Sequence, residues 1–176
     1  RCLVTGACGF IGTNFVLHML RKGHQVVGVD SLSRKGAELN LQFIKSQFPD
    51  FEFVYTEIED LPSVVHMIHP EIVYHFAAQV AVTTSVLNPR RDFMINAMGT
   101  FEVALAAKKL NIPVVYTSTN KVFGDNVNLV PIRELDTRYD YDGEYAEKGV
   151  TEDFPIDAKH HTPYGCSKLV GDIYVR

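Results

Sequence analysis

Three side chains in the second half of the chain have the types and the order needed for proton transfer at a hydroxyl group. Tyr164 and Lys168 are four residues apart, and Pro163 before them is a favourable first residue of a helix. An ammonium beside a phenol favours the phenolate form, which can take a proton from an alcohol. Thr119 follows an apolar run directly, and we expect its hydroxyl to hold the same oxygen.

A glycine-rich turn near the start of the chain could bind the cofactor for such a reaction. Gly6, Gly9 and Gly12 recur every three residues between a short apolar run and an amphipathic segment. In this pattern the first glycine permits a tight turn and the second lets backbone approach a pyrophosphate. The third lets the following helix pack on its strand, and the helix then points its N-terminus at the anion.

An acidic residue lies at the distance from this turn that a ribose-binding carboxylate requires. Residues 24–30 read as a second strand that ends in Asp30, about 20 residues beyond the glycines. Arg34 and Lys35 could bind a 2′-phosphate and so favour NADP. Asp30 would repel that phosphate and accept from a ribose hydroxyl, so NAD is the preferred cofactor.

The elements that must position these residues alternate between strand and helix. Further strands are predicted over residues 51–56, 72–76 and 113–118, and helices over 39–48, 61–68 and from about 93 to 105. We therefore expect an α/β fold, a Rossmann-type doubly wound parallel sheet with strand order 3-2-1-4-5. Residues 77–89 are predicted to be a loop, and Phe93, Ala97, Phe101, Ala104 and Leu105 to form one apolar stripe.

The composition restricts the class of protein. At 176 residues, with 46% hydrophobic residues and a formal net charge of −4, the chain can bury one core and has no concentrated basic surface. No nucleic-acid partner, membrane span or metal site is expected, and the three cysteines are expected to be reduced in a cytoplasmic protein. The acidic residues 125–162 are either a solvent-exposed surface segment or a lid near a polar ligand.

These motifs resemble the extended short-chain dehydrogenase/reductase family of nucleotide-sugar epimerases and dehydratases. Residues 5–12 are similar to its cofactor fingerprint, and residues 75–79, 96–100 and 164–168 to its later signatures. The resemblance implies a bound NAD, a nucleotide-sugar substrate and a homodimer or higher homo-oligomer. The implied catalytic residues are Thr119, Tyr164 and Lys168.

The resemblance also assigns binding roles. The implied cofactor-binding residues are Gly6, Gly9, Phe10, Ile11, Gly12, Asp30, Ser33, Arg34, Glu57, Ile58, Ala77, Ala78, Gln79, Asn96, Tyr164 and Lys168. The implied substrate-binding residues are Val80, Thr83, Thr119, Asn120 and Lys121.

Residues 32–37, 79–85 and 118–125 look most like the branch that epimerises C2 of CDP-sugars in lipopolysaccharide biosynthesis. Phe123 departs from it, because a tyrosine is usual there, and Glu57 stands where aspartate is more common. A dehydratase of this family has an Asp-Glu pair after the threonine, whereas this chain has Asn120 and Lys121. The remaining alternatives are a 4-epimerase, another NAD-dependent sugar dehydrogenase and a catalytically silent NAD-binding sensor.

Two further expectations concern a histidine and the ends of the chain. His75 lies in an apolar strand and is expected to be a buried structural residue. The chain starts inside a strand and ends inside a predicted helix. We therefore expect residues 1–176 to be the NAD-binding Rossmann domain of a longer two-domain protein, without its remaining strands and C-terminal substrate domain.

Overall fold

A computed structural model describes residues 1–157 and 159–176, and its centre is a five-stranded parallel sheet. The strands are β1 (Cys2–Thr5), β2 (Val26–Asp30), β3 (Glu52–Tyr55), β4 (Ile72–His75) and β5 (Val114–Tyr116). Their order is β3-β2-β1-β4-β5, as the alternating pattern predicted. The winding therefore reverses between β1 and β4, where a crevice opens at the carboxyl ends of the strands.

Helices cover both faces of the sheet. They are α1 (Phe10–Arg21), α2 (Ala37–Gln47), α3 (Leu61–Ile68), α4 (Val82–Leu87), α5 (Pro89–Phe93), α6 (Gly99–Lys109) and α7 (Pro163–Val175). Short 3-10 segments occupy Ile58–Asp60, Asn120–Leu129 and Gly143–Tyr145. No described helix has the length and apolar character needed to cross a bilayer.

The core has two layers because successive residues of a strand point to opposite faces of the sheet. Leu3 packs with side chains of α3 and α6 on one face. Cys2 and Val4 pack with side chains of α1 and α2 on the other face. The two layers hold the carboxyl ends of the strands, and therefore the crevice, in a fixed geometry.

The segment between β4 and β5 differs from the prediction in two ways. Residues 77–89 are not all loop, because α4 forms within them, and a π-helical turn over Met94–Met98 joins α5 to α6. The π turn and the neighbouring α7 change which side of this long helix is buried. Phe93 is 46% exposed, whereas Val103 is fully buried, and Phe101 packs against Tyr174 of α7 rather than in the core under the sheet.

The acidic residues 125–162 contain a small antiparallel hairpin of β6 (Ile132–Glu134) and β7 (Tyr139–Tyr141). The side chain of Phe154 packs edge to face on Phe123 and on Tyr145, with ring centroids 5.7 and 6.1 Å apart. These aromatic contacts attach the segment to the 3-10 helix that follows β5.

Candidate functional site: a cleft at the switch point of the sheet

The glycine turn is packed so closely that two of its positions accept no side chain. Gly6 has a φ of +66°, and a Cβ there would lie 2.7 Å from the backbone nitrogen of Ala77. A Cβ at Gly12 would lie 2.0 Å from the carbonyl oxygen of Gly6. The turn is therefore fixed between the end of β4 and the first turn of α1, as the spacing predicted.

The first turn of α1 lines the crevice, and no side chain in the described part of the chain caps its backbone donors. Gly9 is the N-cap residue in an extended conformation, and it has no side chain to accept from the first N–H groups of the helix. The first turn also contains no acidic residue. A helix of 12 residues with this N-terminus is suited to bind a phosphate or pyrophosphate.

A cleft of about 400 Å³ extends from this turn along the carboxyl ends of β1, β2, β3 and β4. Of the predicted cofactor-binding residues, the cleft is lined by Gly6, Gly9, Phe10, Ile11, Gly12, Asp30, Ser33, Arg34, Glu57, Ile58, Ala77 and Ala78. Val80, predicted to contact substrate, also lines it. The position and lining are those of a dinucleotide site at a topological switch point.

The carboxylate of Asp30 is held by two backbone N–H groups. One oxygen accepts from the N–H of Cys8 and the other from the N–H of Leu32, each at 2.9 Å. These bonds orient the acid at the cleft and join β2 to the glycine turn. Burial, with the nearby charge of Asp30, raises the pKa of the Cys8 thiol to about 12, so this cysteine stays protonated and unreactive.

Gln79 and Asn96 lie outside the lining of the cleft, in a polar network behind it. The side chain of Asn96 accepts from the N–H of Gln79 at 2.8 Å and donates to its carbonyl oxygen at 3.0 Å. The buried carboxylate of Asp92 accepts from Gln79 at 2.8 Å, from Asn96 at 3.2 Å and from the Ser167 hydroxyl. Gln79 and Asn96 therefore position the loop after β4 against α7.

The start of α7 lies against the turn that carries the other predicted residues. A Cβ at Gly165 would lie 2.6 Å from the carbonyl oxygen of Lys121, so α7 packs directly on the turn of Thr119 and Asn120. The backbone N–H of Tyr164 donates to the Ser85 hydroxyl of α4 at 3.2 Å. Thr83 of α4, Asn120 and Lys121 are exposed and could contact a substrate.

Tyr164 and Lys168 share α7 as predicted, but in the described residues no hydrogen bond joins the Tyr164 hydroxyl to Lys168 or Thr119. The other two groups have different partners. Lys168 is 3% exposed and donates to the carbonyl oxygen of Thr117 at 2.6 Å. The Thr119 hydroxyl accepts from the N–H of Lys121 at 3.4 Å. Burial lowers the pKa of Lys168 to about 8.

His75 is fully buried, as expected for a structural residue of a strand covered on both faces. Its Nδ1 lies 2.7 Å from the Thr5 hydroxyl, and its Nε2 lies 3.1 Å from the Thr100 hydroxyl. Burial is the main cause that lowers its pKa to about 3, and the charge of Lys168 contributes. The imidazole is therefore neutral at physiological pH.

Asp125, Asp157 and His160 form a cluster that the sequence spacing did not indicate. One ligand atom from each lies within 4.8 Å of the others. Asp157 accepts from the N–H of Lys159 at 2.7 Å, and it pairs with Nδ1 of His160 at 3.2 Å. Asp125 accepts from the side-chain amide of Asn128 at 3.3 Å, so each member of the cluster has a hydrogen-bond partner, and we assign no metal to it.

Several lining residues were not identified from the sequence. They are Thr5, Val29, Ser31, Ala37, Thr56, Leu61, Phe76, Arg91 and Ile95. Ser31 and Thr56 follow the ends of β2 and β3, a position that could have indicated them. Arg91 and Ile95 come from α5 and the π turn, where nothing in the spacing shows which side chains face the cleft.

Comparison with known proteins decides the family. Residues 3–176 match the family model described as GDP-mannose 4,6 dehydratase. The chain belongs to this family. Among curated relatives of the family, the CDP-paratose 2-epimerase of Salmonella typhi is 39% identical over 99% of this chain and 52% of its own length.

Two solved structures related to the family have the same fold. The UDP-glucose 4-epimerase of Thermotoga maritima, determined with UDP-glucose, is 28% identical, with a TM-score of 0.76 over 98% of this chain and 49% of its own. The dTDP-glucose 4,6-dehydratase of Streptomyces venezuelae, determined with NAD bound, is 27% identical. Its TM-score is 0.77, and the match covers 99% of this chain and 50% of its own. This chain spans about half the length of the curated relatives it matches.

Proposed function

We propose that the full-length protein is an epimerase that uses bound NAD to oxidise and re-reduce one carbon of a nucleotide-sugar. The observation that supports this most directly is the position of the cleft at the switch point. The glycine turn and Asp30 line the cleft. The helix α7, which carries Tyr164, comes after β5 in the chain. Family membership and the named relatives support the same class of reaction.

The residues of the cleft fit NAD. The N-terminus of α1 would hold the pyrophosphate, because no side chain among the described residues caps it. The glycine turn before it is closely packed, since a Cβ at Gly6 would meet the backbone of Ala77 and a Cβ at Gly12 would meet the backbone of Gly6. Asp30 would accept from a ribose hydroxyl, since its carboxylate is already oriented by two N–H groups. NAD, when bound, supplies a hydride acceptor that can return the hydride to either face of the sugar.

The protein side chains would handle the proton. Tyr164 would take the proton of the sugar hydroxyl as the carbon is oxidised and return it when the carbon is reduced. Lys168 lies one turn further along α7, where a positive charge favours the phenolate. Thr119, at the N-cap of the 3-10 helix after β5, would hold the same oxygen.

Epimerisation is favoured over elimination of water. A dehydratase needs an acid and a base next to the threonine, to remove a proton and protonate the leaving hydroxyl. Here those positions are Asn120 and Lys121, which are exposed and include no carboxyl group.

The most specific substrate we propose is CDP-paratose, with reaction at C2. The curated relative of that activity supports it, as do the motifs at residues 32–37, 79–85 and 118–125. We further propose a homodimer that buries the outer faces of the long helix and α7, because Phe93, Met98 and Ile173 are 46%, 38% and 61% exposed there. Light scattering of the full-length protein measures that assembly.

The experiment uses full-length protein and CDP-paratose deuterated at C2. If the hydride is removed and returned within one site, the epimerised product keeps its deuterium. Loss of the label to solvent would instead indicate proton abstraction without redox and would refute the proposed mechanism. Mass spectrometry of the nucleotide released on denaturation identifies the cofactor.

The outcomes separate the alternatives. Turnover of UDP-glucose to its C4 epimer, with no reaction of CDP-paratose, would identify a 4-epimerase. Bound NAD without turnover of any nucleotide-sugar would identify a silent sensor. Absence of NAD from the purified protein, with no binding on addition, would overturn the proposal as a whole.

A further inference from the structure

The ammonium of Lys168 occupies a specific place at the carboxyl end of β5. Its Nζ donates to the carbonyl oxygen of Thr117 at 2.6 Å and lies 4.0 Å from the centre of the Tyr116 ring. The lysine comes from α7, whereas Tyr116 is the last residue of β5. The ring and the carbonyl group thus hold the end of a long side chain that reaches across from another element.

Lys168 has no carboxylate partner in the described part of the chain. Its side chain is buried, and the charges of Asp92 and Asp172 act on it without a salt bridge to either. A buried cation needs compensating interactions, and one carbonyl oxygen satisfies only one of three N–H donors. The negatively polarised face of an aromatic ring is the other interaction in contact with it.

The ring of Tyr116 is itself fixed from several sides. It stacks on the imidazole of His75, with ring centroids 5.9 Å apart and planes 19° from parallel. Its hydroxyl contacts the carbonyl oxygen of Lys168 at 3.5 Å, and a Cβ at Gly171 would lie 2.6 Å from that hydroxyl oxygen. Burial raises the pKa of the phenol, so it remains neutral.

We infer that Tyr116 is a positioning residue that holds the ammonium of Lys168 through the face of its ring. The inference rests on the proposed function only in its consequence for catalysis, where Lys168 acts on Tyr164. The ring is the effective part of Tyr116, because its face lies against the ammonium, whereas its hydroxyl interacts with Thr100 and with the carbonyl oxygen of Lys168.

Two substitutions separate the ring from the hydroxyl. Tyr116→Phe keeps the aromatic face and removes the hydroxyl, so the position of Lys168 should be retained. Tyr116→Leu keeps an apolar side chain and removes the aromatic face, so the ammonium should lose its place. A general packing defect would disturb the position of Lys168 in each variant in proportion to that variant's loss of thermal stability. The inference instead predicts that Lys168 keeps its position in Tyr116→Phe and loses it in Tyr116→Leu.

The direct test is NMR of full-length protein with lysines labelled with ¹³C at Cε, in which Lys168→Arg identifies the Lys168 signal. Protons above a ring face are shifted upfield, so the Lys168 ε-protons should resonate upfield of those of exposed lysines such as Lys109. Tyr116→Phe should keep this shift and Tyr116→Leu should abolish it. An unshifted Lys168 signal in the unsubstituted protein would overturn the inference, even if Tyr116→Leu does not fold.

A kinetic measurement tests the consequence. Tyr116→Leu should lower kcat about tenfold, while Tyr116→Phe stays within about threefold of the original value. Equal kcat values in Tyr116→Leu and the unsubstituted protein would overturn the catalytic consequence. If the unsubstituted protein shows no turnover, the proposed function fails, and the NMR shift still decides the position of Lys168.

Discussion

The hydroxyl of Thr5 joins the buried imidazole of His75 to the loop that lines the cleft. It lies 2.7 Å from Nδ1 of His75 and accepts from the backbone N–H of Ala77 at 3.1 Å. Because the hydroxyl accepts from Ala77, its own proton is available to Nδ1. The Nε2–H of the neutral ring is then directed to Thr100. Burial of the ring between these two hydroxyls keeps His75 uncharged at physiological pH.

The first prediction is loss of stability in acid. The pKa of His75 is about 3 in the folded protein, against about 6.5 in an unfolded chain. The contribution of neutral His75 to the free energy of unfolding is therefore complete above about pH 6.5. It decreases as pH falls towards 3, by up to about 1.4 kcal/mol per pH unit. Urea unfolding between about pH 8 and pH 4 measures it.

The control for acid stability compares two histidine substitutions. His75→Gln should lower stability and remove this part of the pH dependence, whereas His18→Gln, at an exposed position of α1, should leave both unchanged. The prediction would be contradicted if the free energy of unfolding of His75→Gln depended on pH in the same way as that of the unsubstituted protein.

The second prediction concerns Gly9 and cofactor binding. A Cβ at this position would lie 3.3 Å from the carbonyl oxygen of Gly6, and φ is −74°, so the fold can accept a side chain with a small shift. Gly9→Val should place methyl groups in front of the first N–H groups of α1 and weaken NAD binding at least about tenfold. Gly9→Ala should give a smaller loss, and calorimetric titration of both variants measures it.

This prediction requires a nearly unchanged fold. Circular dichroism and the melting temperature of Gly9→Val should stay close to those of the original protein. Full NAD affinity in Gly9→Val would show that the pyrophosphate does not lie at the N-terminus of α1.

The third prediction concerns Tyr164. Replacing it with phenylalanine removes the proton acceptor and leaves the cleft lining intact, so turnover should fall by about 10²-fold to 10⁴-fold while NAD remains bound. Tyr174→Phe is the matched control, because Tyr174 is on the same helix and is 57% exposed. Turnover of Tyr164→Phe equal to that of the control would exclude Tyr164 as the proton acceptor.

The fourth prediction concerns Arg91, which lines the cleft from α5. The cleft is proposed to hold the dianionic pyrophosphate of NAD, and a guanidinium on its wall should attract that group. Arg91→Gln should therefore weaken binding of NAD and ADP several-fold, with a smaller dependence on salt, and should leave adenosine binding unchanged. Fluorescence or calorimetric titrations of the three ligands measure this.

Arg90 provides the control for Arg91. It is the neighbouring residue of the same type, is exposed and is not among the residues that line the cleft. Arg90→Gln should bind all three ligands as the original protein does. Equal affinities in both variants would mean that Arg91 does not contact the phosphates.

The fold was predictable because its signals are local. Alternating apolar strands and amphipathic helices, with the glycine turn and Asp30 after β2, were sufficient for the strand order and for most of the cleft lining. These residues determine the conformation of the backbone close to them in sequence, so their spacing indicates where strands, helices and the cleft lie. The predicted roles of Thr119, Tyr164 and Lys168 remain predictions.

Other features depend on contacts between distant segments. The π turn changed which side of the long helix is buried, and no residue pattern distinguished it from a regular helix. Lys168 points to Thr117 and Tyr116 because burial and a carbonyl group determine its side-chain conformation. Gln79 and Asn96 face Asp92 and Ser167 for a similar reason, since a buried carboxylate requires donors around it.

The two N–H groups that hold Asp30 limit how the chain could be engineered to accept NADP. Replacing Asp30 by a neutral residue is the obvious way to admit a 2′-phosphate. Here it would also break the bonds to Cys8 and Leu32, and so weaken the attachment of the glycine turn to β2, leaving the bond from the N–H of Ala7 to the carbonyl oxygen of Val29. A redesign of cofactor preference should instead keep Asp30 and add positive charge at Ser33, which is exposed and lines the same end of the cleft.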